Sequence, residues 1–323
     1  MRAAERLKRQ LLYSRTNRRL IAWTAAWHPP GFAGLDLFRI SRFFFRAIHQ
    51  GELVTRASAI AFRLFLALFP GLLVLLTLIP FIPVPHFQET LLLSFRELLP
   101  VEVYRFIEGL LHDLLVKKHS TLLSVSFVLG IFFASNSIAA ILDGFSASYQ
   151  VTTWHSPLKQ RLWSLGLLFV LAVLCVMAAA LLTLGSWTVS ELRSSGIVLN
   201  AWERGLFFFL KGAVAVLLTL CALSLLYFAG DPTAKRFRLF TPGAILALVL
   251  VFVLSQGLAF MFDHITDYNA LYGSIGAIIA VQIWLYLNMI VILVGYELNA
   301  SIAMAKRRKD VRTAADRSVR SVP

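Results

Sequence analysis

Six positions set polar or helix-breaking chemistry inside long apolar stretches of this chain: Arg63, Pro70, Asn136, Gln282, Asn288 and Glu297. An unpaired arginine in hydrocarbon costs about 2.5–3.5 kcal/mol or more, so Arg63 must find an acid or run its head to the surface. Glu297 lies at comparable depth in another stretch, which makes an Arg63–Glu297 pair one expectation. The other is that Arg63 snorkels to the headgroups while Glu297 sits in water. Pro70-Gly71 falls near the middle of "RASAIAFRLFLALFPGLLVLLTLI". There it removes a backbone hydrogen bond and permits either a plain kink or a break of the kind found at some transporter substrate sites. Gly130, Ala134 and Ser137 recur at helical spacing beside Asn136. Small residues so spaced suit close helix approach, with a polar cavity wall as the functional alternative. Gln282 and Asn288 can each bond across helices. Together the six residues form the candidate substrate pathway.

Other chemistry is sparse. Asp263, His264 and Asp267 crowd one loop, where they could hold a divalent metal or relay protons. No second group of ligands accompanies them, so the expectation is a solvated loop and no metal. Walker-type, dinucleotide, HExxH and GxSxG signatures are missing from the sequence. No catalytic residue, no cofactor and no enzymatic activity are therefore expected. Cys175 and Cys221 both fall within apolar stretches and read as small packing residues.

The elements that must position these groups follow from composition. Hydrophobic residues make up 58% of the chain, charged residues 15%, and the mean hydropathy is +0.74. A soluble protein of 323 residues needs far more polar surface. Six apolar stretches reach spanning length, at about 57–79, 121–142, 162–184, 206–228, 242–262 and 275–299. The expected fold is all-α: a polytopic six-transmembrane-helix bundle with amphipathic interfacial helices. Residues 1–56 form a basic cytoplasmic segment, 57–305 the membrane domain and 306–323 a basic, loosely ordered cytoplasmic tail. The early apolar run Leu20–Trp27 ends at His28-Pro29-Pro30 and is too short for a signal peptide.

Orientation is read from lysine and arginine. Arg2, Arg6, Lys8, Arg9, Arg15, Arg18, Arg19, Arg39, Arg42, Arg46 and Arg56 precede the first span; Lys159 and Arg161 follow the second; Lys235, Arg236 and Arg238 follow the fourth; the tail carries Lys306, Arg307, Arg308, Lys309, Arg312, Arg317 and Arg320. The opposite loops hold only Arg96, Arg105, Lys117, Lys118, Arg193 and Arg204. This alternation places both termini on the inner, cytoplasmic side of the membrane. A formal charge of +14 would suggest nucleic acid in a soluble protein, but beside spans it points to anionic headgroups; no nucleic-acid partner is expected.

Between Gly34 and Gly51, basic residues share one helical face and Leu37, Ile40, Phe44 and Ile48 the other. That pattern suits a helix on the inner leaflet or one packed under the bundle. Val103, Phe106, Ile107, Leu110, Leu111 and Leu114 recur helically within the long external loop, giving an amphipathic hairpin at 81–120 that caps the external mouth of the bundle or, in a non-transporting scaffold, docks envelope partner proteins.

Three segments then point to a family. "RASAIAFRLFLALFPGLLVLL", "ASNSIAAILDGFSASYQV" and "YGSIGAIIAVQIWLYLNMIVILVGYELNA" resemble the YihY/BrkB family of bacterial membrane proteins, over roughly residues 35–305. Arg63 stands where the family pattern has Tyr after Ala-Phe, and the second-span exit lacks an expected Asn. The resemblance implies a six-helix inner-membrane protein. Some members carry an old ribonuclease name, and others are linked to virulence or serum resistance or suggested to move lipids or small solutes. The resulting expectation is a transporter-like bundle moving a lipid or other amphipathic solute. The alternative is a non-transporting envelope scaffold; a membrane-bound enzyme is third.

Overall fold

A computed structural model of the chain describes residues 37–50, 52–81, 92, 109, 112–114, 117, 119–148, 156–194, 200–234, 236–264 and 267–320. Seven helices are described: α1 Leu37–Gln50, α2 Leu53–Leu78, α3 Ser120–Ser146, α4 Pro157–Ser194, α5 Ala201–Ala229, α6 Pro242–His264 and α7 Asp267–Arg320. A short 3-10 turn, Ile79–Phe81, ends α2. Local chemistry explains where they start. Pro157 and Pro242 open α4 and α6, at the position where a missing N–H costs nothing. Thr241 Oγ1 accepts the Ala244 N–H at 3.2 Å, and the Glu203 carboxylate accepts the Asn200 N–H at 2.9 Å ahead of α5. Glu52, at φ 45°, makes the left-handed corner between α1 and α2.

Among the described residues five helices are long and apolar enough to cross a membrane: Leu53–Phe81, Ser120–Ser146, Pro157–Ala178, Gly205–Ala229 and Ile278–Arg308, with Pro242–Leu258 a shorter apolar stretch. The chain is a helical membrane bundle. α2 runs on through Pro70, which is buried, so the sequence break at Pro70-Gly71 does not interrupt the helix. α7 continues beyond the expected span end at 299 to Arg320. The tail expected to be loose is thus helical: residues 300–320 hold no Gly or Pro and are rich in Ala, Lys and Arg, which favour helix.

The spanning helices form a ring in chain order. Each of α2 to α6 packs on its successor, and α7 closes the ring against α2 while also touching α3 and α1. Small residues let backbones approach: a Cβ on Gly243 of α6 would strike the carbonyl of Gly295 on α7, and one on Gly295 would strike Gly243 in return.

Burial is uneven along the ring. One end gathers the start of α2, the end of α3, the start of α4, the end of α5 and the start of α6, and from it α7 emerges; it carries most of the lysine and arginine and is called the basic end here. On α3, Ser135, Ile138, Leu142 and Phe145 share one stripe and are at most 6% exposed. Continued away from the basic end, the same stripe holds Ile131 and Phe127, which are 39% and 55% exposed. α5 repeats the pattern, with Tyr227, Leu223 and Leu220 buried and Val216 and Phe209 exposed. So does α7, with Tyr296, Leu293, Met289 and Leu285 buried and Ile278 exposed. A stripe at three- and four-residue spacing keeps its direction along a helix. These core-facing stripes therefore meet near the basic end and, among the described residues, separate beyond it.

Candidate functional site

The closed end is built around an acid. Glu297 on α7 is fully buried, and its Oε1 lies 2.7 Å from Arg56 Nη2 in the first turn of α2. Its Oε2 accepts the Ser148 hydroxyl at 2.7 Å, just past the end of α3. Arg56 also donates through Nη1 to the Gly144 carbonyl at 2.5 Å. That carbonyl belongs to the last turn of α3, where partial negative charge collects and a cation is welcome. Ser301 donates to the Glu297 carbonyl at 2.6 Å. One carboxylate thus ties α7 to α2 and to the end of α3. Arg56 Nε is buried and has no hydrogen-bond partner among the described residues.

Neighbouring motif residues bind other elements. Tyr296 stacks on Phe145 at 4.1 Å between centroids, and its hydroxyl donates to the Gly230 carbonyl at 2.6 Å. Tyr227 stands edge-on to Phe145 and donates to the Ile292 carbonyl at 2.9 Å. Asn299 Oδ1 accepts the Gly243 N–H at 2.8 Å while its Nδ2 donates to Thr241 Oγ1 at 3.1 Å. Within Gly295-Tyr296-Glu297-Leu298-Asn299, four residues hold α6, the turn after α5, α2 with the end of α3, and the start of α6 in turn. The motif is the clasp of the ring.

The expected Arg63–Glu297 pair does not form. Arg63 lies seven residues further along α2 than Arg56, about 10 Å deeper at 1.5 Å per residue. Its carbonyl accepts the Ser137 hydroxyl at 2.9 Å, whereas Arg56 is level with Gly144. The Arg63 side chain instead runs back toward the basic end, to 3.7 Å from Asp143 Oδ2. Both side chains stay open, at 45% and 56% exposure. Arg63 snorkels, as one of the two sequence readings had it, but Glu297 is paired and dry rather than in water. Asp143 also accepts from Gln160 Nε2 at 2.5 Å, and Gln160 reaches the Ala139 carbonyl at 3.4 Å.

The remaining pathway candidates separate. Pro70 is buried within α2. Asn136 is partly exposed on α3, and its side chain makes no hydrogen bond among the described residues. Gln282 lies on the core-facing stripe of α7 where that stripe opens, and its Oε1 is buried with no partner among the described residues. Asn288 Nδ2 donates to the Trp284 carbonyl of its own helix at 2.8 Å. Arg56, Ser148, Tyr296 and Asn299 were absent from the candidate set. Arg56 could have been found from its place at the head of "RASAIAF", had depth rather than charge type alone been matched to Glu297.

Outside the ring, Ile40 of α1 is buried against Ile302 and Ala305 of α7, and Arg308 lies over the Phe43 ring at 5.0 Å. α1 is thus packed on the extension of α7, with Arg42, Phe45 and Arg46 left exposed. Most of the 81–120 hairpin and the side chains of Asp263, His264 and Asp267 lie outside the described residues. Within the hairpin, Asp113 pairs with Lys117 at 2.6 Å and His119 at 3.1 Å. The Lys117 hydrogen bond is the main cause that holds the Asp113 carboxyl below the usual carboxylate range. Among the described residues no three His, Cys, Asp or Glu side chains come together as a metal site.

Comparison with known proteins agrees with the motif. The chain is 28% identical over 268 residues to the putative ribonuclease-like protein YfkH of Bacillus subtilis (strain 168), covering 81% of this chain and 94% of that one. It is 26% identical over 280 residues to a UPF0761 membrane protein of Tolumonas auensis, covering 85% and 88%. A UPF0761 membrane protein of Pseudoalteromonas translucida is 34% identical over 79 residues, 24% of this chain. No solved structure matches. The family model described as Virulence factor BrkB matches residues 44–319, which include the clasp, and the chain belongs to that family.

Proposed function

We propose that this protein is a transporter-like bundle of the bacterial inner membrane, with the basic end and both termini in the cytoplasm, that moves a lipid or another amphipathic solute. The observation that carries the reading is the contrast along the ring. Core-facing stripes of α3, α5 and α7 are sealed near the basic end and exposed beyond it. The open part has apolar walls, with Ile131, Val216 and Ile278, and at its floor a buried Gln282 amide oxygen with no partner among the described residues. Apolar walls with a few polar groups suit an amphipathic guest. Below that floor, the Arg56–Glu297–Ser148 cluster and the Phe145–Tyr296 stack act as the gate that must part for passage. No enzymatic role, cofactor or nucleic-acid partner belongs to this reading, despite the name of the B. subtilis relative.

A second reading, an envelope scaffold, draws on the cytoplasmic extension. Exposed Arg42 and Arg46 on α1 and Lys306, Arg307 and Arg308 on α7 make a basic surface for acidic partners or headgroups. Reconstituted vesicles separate the two. Fluorescent phospholipid should redistribute between leaflets several-fold faster with the wild-type protein than in empty vesicles, and Glu297→Gln should change that rate while the protein still elutes as a folded species. A rate equal to that of empty vesicles for several lipids, or one indifferent to Glu297, would sink the transport reading and favour the scaffold.

A further inference from the structure

The perimeter of the bundle carries a second polar feature that the clasp does not use. Val125, Leu129, Phe132, Asn136, Ala139 and Asp143 recur on α3 at spacings of four and three, so they share one face. It points away from the stripe of Ile138, Leu142 and Phe145 that enters the core. Val125, Leu129 and Phe132 are 51%, 43% and 52% exposed, which makes this face the floor of a groove on the outside of the ring. Arg63 of α2 reaches over it from one side to Asp143. Gln160 of α4 reaches the same carboxylate from the other side, and Arg161 lies over the Phe132 ring at 5.8 Å.

Charge in this groove is not balanced. Arg63 and Arg161 lie along a face whose one carboxylate is that of Asp143. The Arg63–Asp143 contact is long at 3.7 Å, and among the described residues Arg161 has an aromatic ring but no acid beside it. Between the two guanidinium groups, the Asn136 amide lies partly exposed with no hydrogen bond among the described residues. Arginines and an amide facing lipid need a counter-anion and an acceptor, because hydrocarbon offers neither. Phospholipid supplies both in one group. Its phosphodiester accepts from guanidinium and amide donors, and its acyl chains fit the exposed apolar run from Phe132 to Val125.

We infer that the α2–α3–α4 groove binds the phosphate of an anionic phospholipid between Arg63 and Arg161, with Asn136 as a further donor and the acyl chains along Phe132, Leu129 and Val125. The site does not depend on transport: it is occupied whether or not lipid crosses the ring. It also gives Arg63, whose contact with Asp143 is long and half exposed, a second anionic partner at the lipid-facing surface.

The test is native mass spectrometry of the full chain in mixed micelles of dioleoyl phosphatidylglycerol and dioleoyl phosphatidylcholine. The wild type should retain phosphatidylglycerol about ten-fold or more over phosphatidylcholine, the order that two arginines contribute toward an anionic headgroup. The Arg63→Gln/Arg161→Gln variant should lose that preference, and Arg236→Gln/Arg238→Gln, which removes two exposed arginines between α5 and α6, should keep it. Should the first variant fail to fold, Arg161→Gln with Asn136→Ala replaces it, since neither residue carries an ion pair among the described residues. Equal preference in wild type and groove variant, or equal loss in the Arg236→Gln/Arg238→Gln variant, overturns the site. A third arm adds millimolar inorganic phosphate. Displacement of phosphatidylglycerol at comparable concentration would overturn a lipid ligand, while its failure to compete supports the lipid headgroup over the free ion.

Discussion

Two acid–arginine contacts start seven residues apart on α2, one reaching α7 and the other α3, and they are unlike in length, burial and partners. Arg56–Glu297 is short, dry and held by Ser148 and the Gly144 carbonyl. Arg63–Asp143 is long and half open, and shares its acid with Gln160. The first closes the ring at the point where α7 returns to α2. The second lies on the perimeter, where side chains are free to move and to exchange partners. Ion pairing alone therefore says little about role; burial decides whether a pair is a clasp or a surface contact.

The largest effect should come from breaking the buried pair. Glu297→Ala leaves the Arg56 guanidinium enclosed without its counter-charge, and should cost about 3–5 kcal/mol in reversible unfolding in micelles. Arg56→Met with Glu297→Met should lose less than the two single changes added together, by roughly 1–3 kcal/mol. Strict additivity would mean the two residues do not act as a unit. On the exposed side, Asp143→Asn should change stability by no more than about 1 kcal/mol, and the change should shrink with salt. A loss as large as that at Glu297 would erase the distinction between the two regions.

The smallest effect lies at Asp113, outside both regions. Its carboxyl is held below the usual range chiefly by the Lys117 hydrogen bond. A depressed carboxyl stabilises the folded form above its unfolded pKa of about 4, and that contribution is lost as pH falls through the lower folded value. Asp113→Asn should therefore flatten the acid side of a thermal-melting profile slightly and leave neutral pH nearly unchanged. An unaltered acid limb would show that the Lys117 contact carries no linkage.

Much of the architecture could be read without coordinates, because hydropathy is a property of consecutive residues. Pro157 and Pro242 likewise announce the starts of their helices locally. Depth matching was less legible. Arg56 was counted among the loop charges before the first span, and Arg63 was offered to Glu297 because both looked intramembrane. The clasp motif was visible as a specific string, but nothing in it told which of its five residues would hold which helix. Asn136 was legible as a polar residue among small ones, whereas its outward direction required knowing where α2, α4 and α7 lie around α3.

Sequence by itself determined that this chain enters a membrane as a set of apolar helices and that its positive charge gathers at one end of them. Both follow from transfer free energy, which each segment settles with its own solvent. Tertiary structure alone decided that Glu297 meets Arg56 across a separation of 241 residues, that the core-facing stripes meet at the basic end and, among the described residues, separate beyond it, and that Arg63 faces outward. Those outcomes depend on the relative depth and rotation of helices far apart in the chain, as at the close approach of Gly243 to Gly295, and no local pattern encodes them.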